Sequence, residues 1–146
     1  MWLFENKEFT SEQIQNYVAF VYLITNTVNG RKYIGKKLFT KSKSYVIKKK
    51  KKKKRVESDW KNYYGSSAEL QNDIDLYGKD SFDRKILRLC SSKSEANYFE
   101  LREQMMNDVL LRSDYYNSFA GTRIHKKHLA HLLKSAPDDD SDFCNS

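Results

Sequence analysis

The clearest alternation of hydrophobic and polar residues lies in the stretch VYLITNTVNGRKYIGKK, at residues 21–37. Two short segments of strand-forming residues there flank Asn29-Gly30, and an Asn-Gly pair in this setting predicts a β-hairpin. A later segment, SFDRKILRLC at residues 81–90, predicts a third strand. Strands joined by a tight turn run antiparallel, so the pattern indicates a small antiparallel sheet.

The predicted hairpin brings two tyrosines to one face of this sheet. With a two-residue turn, Tyr33 lies opposite Asn26; with a four-residue loop, it lies opposite Tyr22. Paired residue numbers have an odd sum in both registers, so Tyr22 and Tyr33 share a face. Gly35 leaves that face of the second strand bare, which would admit a ligand backbone. The simpler interpretation is that both tyrosines pack against a helix.

Three segments have helical spacing of apolar residues behind a capping-box start: residues 10–18, 66–78 and 91–111. The capping pairs are Thr10 with Gln13, Ser66 with Glu69, and Ser92 with Glu95. The order of elements is therefore helix, hairpin, basic loop, helix, strand and helix. A small three-stranded antiparallel sheet flanked by helices, an α+β domain, satisfies this order.

One stripe of the longest predicted helix mixes apolar side chains with a carboxylate. At about 100° per residue, Glu103 falls among Ala96, Phe99, Met106 and Leu110. A carboxylate in such a stripe is costly unless it is compensated. Glu103 therefore predicts a salt bridge to an arginine, the edge of a solvent-filled groove, or a ligand for Mg²⁺. Glu95 and Glu100 fall outside the stripe and are interpreted as a capping residue and a solvated residue.

Composition and charge narrow the choice of partner. The net charge of +8 and the pI near 9.4, with 39% hydrophobic residues, indicate a folded domain with a polyanionic partner, most simply nucleic acid. Seven consecutive lysines, at residues 48–54, lie within a basic segment at residues 40–56. Such a run repels itself, so we expect a mobile surface loop whose lysines contact DNA phosphates.

Other features exclude some classes of protein. No apolar run is long enough to span a bilayer, and the N-terminus lacks the pattern of a secretory signal. Cys90 and Cys144 lie far apart in the sequence and predict free thiols in a reducing compartment, the cytoplasm.

The C-terminal residues are first basic and then acidic. His125, His128 and His131 recur every three residues, but no carboxylate or thiol lies near enough in sequence to complete a zinc site. A basic helix lying on DNA is the better interpretation. The expected divisions are therefore an N-terminal helical extension at residues 1–18, a central domain at 19–118, a basic helix at 119–136 and an acidic disordered tail at 137–146.

Four blocks of the sequence together resemble the GIY-YIG nuclease family, especially the stand-alone endonucleases of phages and homing elements. They are the two triplets of VYLITN…YIGKK, with FVY in the place of the first, then YGSSAELQNDIDLYGKDSFDRKIL and EQMMNDVLLRSDYYN. Their order and spacing also fit the family. The resemblance covers residues 19–118.

The resemblance implies hydrolysis of DNA with Mg²⁺ or Mn²⁺ on a three-stranded antiparallel sheet flanked by helices. It implies five site residues: Tyr22 and Tyr33 beside the attacking water, one of them as general base, Gly35 where the DNA backbone approaches, Glu103 as ligand of the single metal ion, and Asn117 as the residue that orients the site. The metal and the lysines Lys36 and Lys37 would favour the phenolate of a tyrosine whose free pKa is about 10.

The chain departs from the family where a catalytic arginine is expected, past the second tyrosine, because Lys43 stands there. Arg55 is the first arginine beyond the motif, so we expect it to clamp the phosphate, with Lys37 or Lys43 as substitutes that cannot make the bidentate contact. The family's histidine is also missing, and Tyr64 is the candidate for its hydroxyl. The lysines expected to contact DNA are Lys36, Lys37, Lys43, Lys50, Lys52 and Lys54.

We therefore expect a metal-dependent DNA endonuclease, encoded by a phage or mobile element and acting in the host cytoplasm. The alternative is a non-catalytic nucleic-acid-binding module that retains the fold, which the missing arginine and histidine favour. Specificity would come from the basic loop, the C-terminal helix or the second subunit of a homodimer.

Overall fold

A computed structural model describes residues 1–121 and 124–126, and a five-stranded sheet lies at its centre. The strands are β1 (Trp2–Phe4), β2 (Lys7–Glu8), β3 (Ala19–Asn26), β4 (Lys32–Leu38), β5 (Thr40–Ile47), β6 (Lys50–Glu57), β7 (Phe82–Cys90), β8 (Phe119–Ala120) and β9 (Ile124–His125). The α-helices are α1 (Ala68–Tyr77) and α2 (Lys93–Met106), with 3₁₀ turns at Ser11–Gln13, Trp60–Asn62 and Lys79–Ser81. The central sheet has the order β2-β1-β7-β3-β4, so β4 lies at one edge.

The predicted α+β class is confirmed, but the sheet is larger than expected and mixed. Strands β7, β3 and β4 are antiparallel as predicted, whereas β1 runs parallel to β7 and adds the N-terminus to the sheet. The expected helix at residues 10–18 is wrong beyond its first turn, since only Ser11–Gln13 is helical. Burial of Trp2 fixes the N-terminus instead, because its indole N–H donates to the Trp60 carbonyl oxygen at 2.6 Å.

Separate hydrophobic clusters cover the two faces of the sheet. The face under α1 is rich in aromatic residues, among them Phe20 and Tyr22 of β3. The face under α2 has smaller side chains, among them Val21, Ala96 and Val109. Alternate residues of β3 thus enter two different cores, which explains why this strand is a nearly unbroken hydrophobic run.

The β3–β4 hairpin has a register midway between the two that were predicted, so both predicted registers are wrong. Tyr22 pairs with Gly35, and Ile24 pairs with Tyr33. Asn26 closes the turn, because its carbonyl oxygen accepts from the Gly30 N–H at 2.8 Å. The paired numbers still have an odd sum, so the prediction that Tyr22 and Tyr33 share a face is confirmed.

The basic segment at residues 40–56 is a second hairpin and not the mobile loop that we expected. Strands β5 and β6 pair over eight residues each, and all of these residues are exposed except Thr40 and Val56. The turn consists of Lys48 and Lys49, with φ of 49° and 61°. A two-residue turn with positive φ at both positions normally selects Asn or Gly, so the sequence carries no turn signal here.

The two helices begin close to their predicted caps. Ser67 rather than Ser66 caps α1, since its Oγ accepts from the Leu70 N–H at 3.3 Å. The cap of α2 is confirmed, because Ser92 Oγ accepts from the Glu95 N–H at 3.0 Å. Helix α2 ends at Met106, short of the predicted residue 111.

The expected basic helix at residues 119–136 is wrong for the part that can be compared, because β8 and β9 pair with each other there. Residues 122, 123 and 127–146 lie outside the described residues, and with them His128, His131, Cys144 and the acidic tail. No helix in the described part of the chain is long and apolar enough to cross a membrane.

Candidate active site

Three tyrosines meet on the α1 side of the sheet. The ring centroids of Tyr22 on β3 and Tyr33 on β4 are 6.1 Å apart. Tyr63, which follows the turn between β6 and α1, lies edge-on to Tyr22 at 6.0 Å. Tyr22 is 1% exposed, whereas Tyr33 is only partly buried. Of the two motif tyrosines, Tyr33 is therefore the one that solvent or a ligand can reach.

Gly35 makes room for these tyrosines. A Cβ atom at Gly35 would lie 2.7 Å from Tyr22 Cζ and 3.0 Å from Tyr33 Cε1. The protein's own rings thus occupy the space on this face of β4. This finding corrects the interpretation that Gly35 leaves the face open for the backbone of a ligand.

The Tyr33 hydroxyl lies at the margin of a surface groove of about 450 Å³. It forms a hydrogen bond with Ser66 Oγ at 3.0 Å. The groove runs from Tyr33 along the start of α1 to Asn117 and Phe119. Ser66, predicted as a helix cap, therefore holds the side chain of a candidate site residue instead.

Burial, more than any nearby cation, sets the acidity of the two motif tyrosines. It raises the pKa of Tyr22 well above the ordinary value, and the neighbouring Tyr33 and Tyr63 raise it further. Burial also raises the pKa of Tyr33, against the effect of its hydrogen bond to Ser66. Lysine charge does not offset burial at either hydroxyl, so the described residues alone do not produce the expected phenolate.

The outer edge of β4 is closed by side chains instead of another long strand. Asn117 is 2% exposed; its Oδ1 accepts from the Ile34 N–H at 3.1 Å, and its Nδ2 donates to the Ile34 carbonyl oxygen at 2.8 Å. Gln104 Nε2 donates to the same carbonyl oxygen at 3.2 Å. Two residues before Ile34 on the same strand, the backbone of Lys32 pairs with the segment at residues 114–116. Asn117 thus takes the place that a neighbouring strand would have.

Glu100 continues this edge at Lys36, and its charge acts on the tyrosines. The ammonium and the backbone N–H of Lys36 both stabilise the charged Glu100 carboxylate, but burial outweighs them and raises the pKa of Glu100. The charge of Glu100 also acts on Tyr22 and Tyr33, raising the pKa of each. The interpretation of Glu100 as a solvated residue is therefore wrong.

Glu103, the predicted metal ligand, lies on a different part of α2. Its carboxylate acts on Tyr115, and its carbonyl oxygen accepts from Asn107 Nδ2 at 2.8 Å. The predicted apolar stripe is also rotated, since Met106 is 67% exposed while Gln104 is buried. Of these two glutamates, Glu100 is the one whose charge acts on the two motif tyrosines.

Lys37 is the cation beside the tyrosine cluster. Its Nζ lies 4.1 Å from the centroid of the Tyr63 ring and 2.7 Å from Asp59 Oδ1. Arg55 is held elsewhere, because its guanidinium donates to Thr40 Oγ1 at 2.6 Å within the β5–β6 hairpin. The structure therefore does not bring the expected phosphate clamp to the tyrosines.

The other substitutes named from the sequence also lie apart from the cluster. Lys43 pairs with Lys54 on the β5–β6 hairpin. The Tyr64 ring lies 4.0 Å from the Arg84 guanidinium, which in turn donates to the Tyr63 carbonyl oxygen at 2.9 Å. Tyr64 thus takes part in fixing the segment that carries Tyr63.

The oxygen donors at this edge fit a hard divalent cation. The Glu100 carboxylate lies beside the Lys36 N–H of β4, and its charge acts on Tyr33 of the same strand. No three His, Cys, Asp or Glu side chains cluster within residues 1–121 and 124–126. A cation at Glu100 would therefore keep most of its waters, which is the usual coordination of Mg²⁺ in proteins.

Comparison with known proteins settles the family. A family model described as "Putative endonuclease segE, GIY-YIG domain" matches residues 2–120. The chain belongs to the GIY-YIG nuclease family. A relative from Enterobacteria phage T4, "Putative endonuclease segE", is 33% identical over 103 residues, which are 70% of this chain and 41% of the relative. The chain thus aligns with less than half of that relative's length, and no solved structure matches it significantly.

The resemblance found in the sequence is confirmed, and in this GIY-YIG domain the match also includes β1. Two residues of the tyrosine site were missed. No motif or periodic pattern in the sequence marks Tyr63, which joins the site because its ring packs against Tyr22 in the folded chain. Glu100 lies one turn after the buried Ala96, a spacing that places both on one helix face and could have revealed it.

Proposed function

We propose that the chain is a metal-dependent endonuclease that hydrolyses phosphodiester bonds in DNA. The observation that carries this proposal is the packing of the two motif tyrosines over Gly35, together with a partly buried carboxylate, Glu100, whose charge acts on both of them. A structural hairpin has no need for a carboxylate whose charged form is disfavoured by burial. Family membership supports the same conclusion.

Tyr33 is assigned as the proton acceptor. Its hydroxyl borders the groove, whereas Tyr22 is buried beneath it. In the proposed step the Tyr33 phenolate takes a proton from a water whose oxygen attacks the phosphorus, the bond from phosphorus to the 3′ oxygen breaks, and the departing 3′ oxygen takes a proton from solvent. The products are a 5′ phosphate and a 3′ hydroxyl. Tyr22 supports the geometry from below through its ring contacts with Tyr33 and Tyr63.

The remaining roles follow from position. Lys37 is assigned to neutralise a phosphate as a point charge, since its Nζ lies 4.1 Å from the centroid of the Tyr63 ring. Asn117 fixes the edge of β4 that carries Tyr33 and Gly35. Glu100 would hold Mg²⁺ or Mn²⁺, which would supply stabilisation of charge on the phosphate and on the departing oxygen.

The experiment is a plasmid-nicking assay with Mg²⁺, Mn²⁺ or EDTA. The matched pair of variants is Glu100→Gln and Glu103→Gln, two glutamates of the same helix. We expect metal-dependent nicking by the parent, a loss of about a hundredfold or more in Glu100→Gln, and near-parental activity in Glu103→Gln. The reverse ranking would move the metal to Glu103. Absence of nicking by the parent with either metal would overturn the enzyme assignment.

The second candidate function is a non-catalytic DNA-binding module. The specific observation in its favour is that Arg55 is held within the β5–β6 hairpin and does not reach the tyrosines. Such a module would retard plasmid in a gel without cutting it across metals and salt concentrations. Action in a host cytoplasm, a phage or homing role, and assembly as a homodimer remain parts of the proposal.

A further inference from the structure

The β5–β6 hairpin has two chemically different faces. Successive strand residues point to opposite faces, and the register pairs Lys43 with Lys54 and Tyr45 with Lys52. One face, called here the lysine face, therefore carries Lys41, Lys43, Tyr45, Lys50, Lys52 and Lys54, together with the apolar Ile47 and Val56. The opposite face, called the serine face, carries Ser42, Ser44, Lys51, Lys53 and Arg55.

We propose that this hairpin is a DNA-binding ribbon that lies in the major groove of duplex DNA with its lysine face toward the DNA, so that its lysines reach the phosphates at the rim of the groove. The proposal rests on the proposed function for its choice of DNA as ligand. It adds a binding element separate from the tyrosine site. All four hairpin lysines singled out from the sequence, namely Lys43, Lys50, Lys52 and Lys54, lie on the lysine face.

The hairpin is costly in the absence of a polyanion. Lys43 lies directly opposite Lys54, and like charges opposite each other destabilise a strand pair. The turn adds strain, because Lys48 and Lys49 both have positive φ. A two-stranded hairpin is marginally stable by itself, and almost all residues of this one are exposed. Binding of phosphates to the lysine face would remove the repulsion.

The dimensions of the hairpin match those of the groove. Eight-residue strands extend for about 26 Å, and the major groove, about 12 Å wide, admits a two-stranded ribbon. Lysines two residues apart on β6 are separated by about 6.7 Å, and each carries its charge on a long flexible side chain. Lys50, Lys52 and Lys54 can therefore contact phosphates at the rim of the groove while the ribbon lies within it.

Duplex DNA fits better than a single strand. Proteins that hold single strands stack successive bases on several aromatic side chains. The lysine face has a single aromatic residue, Tyr45, which is 38% exposed beside a depression of about 400 Å³ that it forms with Lys43, Lys54 and Val56. One aromatic among five lysines is suited to backbone contact and groove insertion.

Two double variants test the choice of face. Lys52→Ser with Lys54→Ser alters the lysine face, and Lys51→Ser with Lys53→Ser alters the serine face. Each variant removes two positive charges, and the two pairs of positions interleave along β6. Affinity for a DNA duplex is measured by fluorescence anisotropy in EDTA, so that no cleavage occurs, between about 50 and 200 mM salt.

We expect the lysine-face pair to lose about tenfold or more in affinity and to lower the slope of log K against log salt by about 1.8, which corresponds to two phosphate contacts. The serine-face pair should keep the parental slope. Equal losses in both pairs would mean that only net charge matters, and would overturn the proposal. Circular dichroism of each variant excludes misfolding as the cause.

Competition identifies the groove and the class of partner. A major-groove ligand such as methyl green should displace the parent from the duplex, and a minor-groove ligand such as netropsin should not. Preference for a single strand of equal length, or face-dependent binding to vesicles of anionic lipid but not to duplex, would overturn the duplex assignment. Plasmid nicking separates the two proposals. Face-dependent binding without nicking would overturn only the proposed nuclease activity. Nicking without face-dependent binding would overturn only the proposed DNA-binding ribbon.

Discussion

The Tyr22 ring lies against the backbone of Gly35, its direct partner across the β3–β4 ladder. The first motif tyrosine and the motif glycine are therefore a single packing unit. The glycine is required because a side chain would collide with the tyrosine ring and not because a ligand must approach there. This relationship ties the position of the tyrosine pair to a residue with no side chain.

Gly35→Ala should displace Tyr22 and destabilise the fold. The added Cβ would lie 2.7 Å from Tyr22 Cζ, a contact that cannot be kept without movement of a buried ring. We expect a loss of about 1–3 kcal/mol in the free energy of unfolding, measured with urea. A double-mutant cycle with Tyr22→Leu provides the control, since the smaller side chain should reduce the cost of Gly35→Ala. Additive effects would show that the collision is not the cause.

Asn117→Ala should open the edge of β4. The Ile34 N–H would lose its acceptor in a buried position, at a cost of about 1–3 kcal/mol. The local measurement is hydrogen exchange at the Ile34 amide, which should become faster. Gln104→Ala is the matched control, because the Gln104 side chain donates to the Ile34 carbonyl oxygen and its loss leaves the Ile34 amide paired with Asn117. Equal exchange rates in parent and Asn117→Ala would contradict this role.

Much of the sheet follows from the sequence because the relevant signals are local. The Asn29-Gly30 turn and the alternation along β3 and β4 place the two tyrosines on one face whatever the exact loop length. The strand β1 could not be predicted this way. Its three residues join the sheet only because Trp2 is buried against Trp60, which is a contact between distant parts of the chain.

The missed parts of the site depend on tertiary packing. Glu100 and Glu103 differ by only about 60° around the helix, so a sparse apolar pattern cannot decide which of them faces the sheet. The β5–β6 hairpin was missed because its lysine-lysine turn lacks the residues that usually mark one. The first error left Glu100 out of the candidate site, and the second misplaced Arg55.

Glu100→Gln should stabilise the metal-free protein near neutral pH. Burial raises the pKa of this carboxyl in the folded chain, so folding favours its protonated form. Parent stability therefore decreases as the pH rises from the unfolded value, about 4.3, through the folded value. Urea titrations in EDTA should show Glu100→Gln more stable than the parent at about pH 7, with the difference shrinking below about pH 4. A less stable variant at neutral pH would mean that Lys36 outweighs burial.

Tyr33→Phe should lose about a hundredfold or more in nicking rate while remaining folded, because it removes the proposed proton acceptor and little buried volume. Burial raises the pKa of Tyr33, so the reactive phenolate becomes more abundant as the pH rises through and above neutrality. The parental nicking rate should therefore increase with pH, and the residual rate of Tyr33→Phe should lose that dependence. Tyr22→Phe is the comparison, since its buried hydroxyl does not border the groove. If Tyr22→Phe instead loses the pH dependence and Tyr33→Phe keeps it, the proton acceptor is Tyr22.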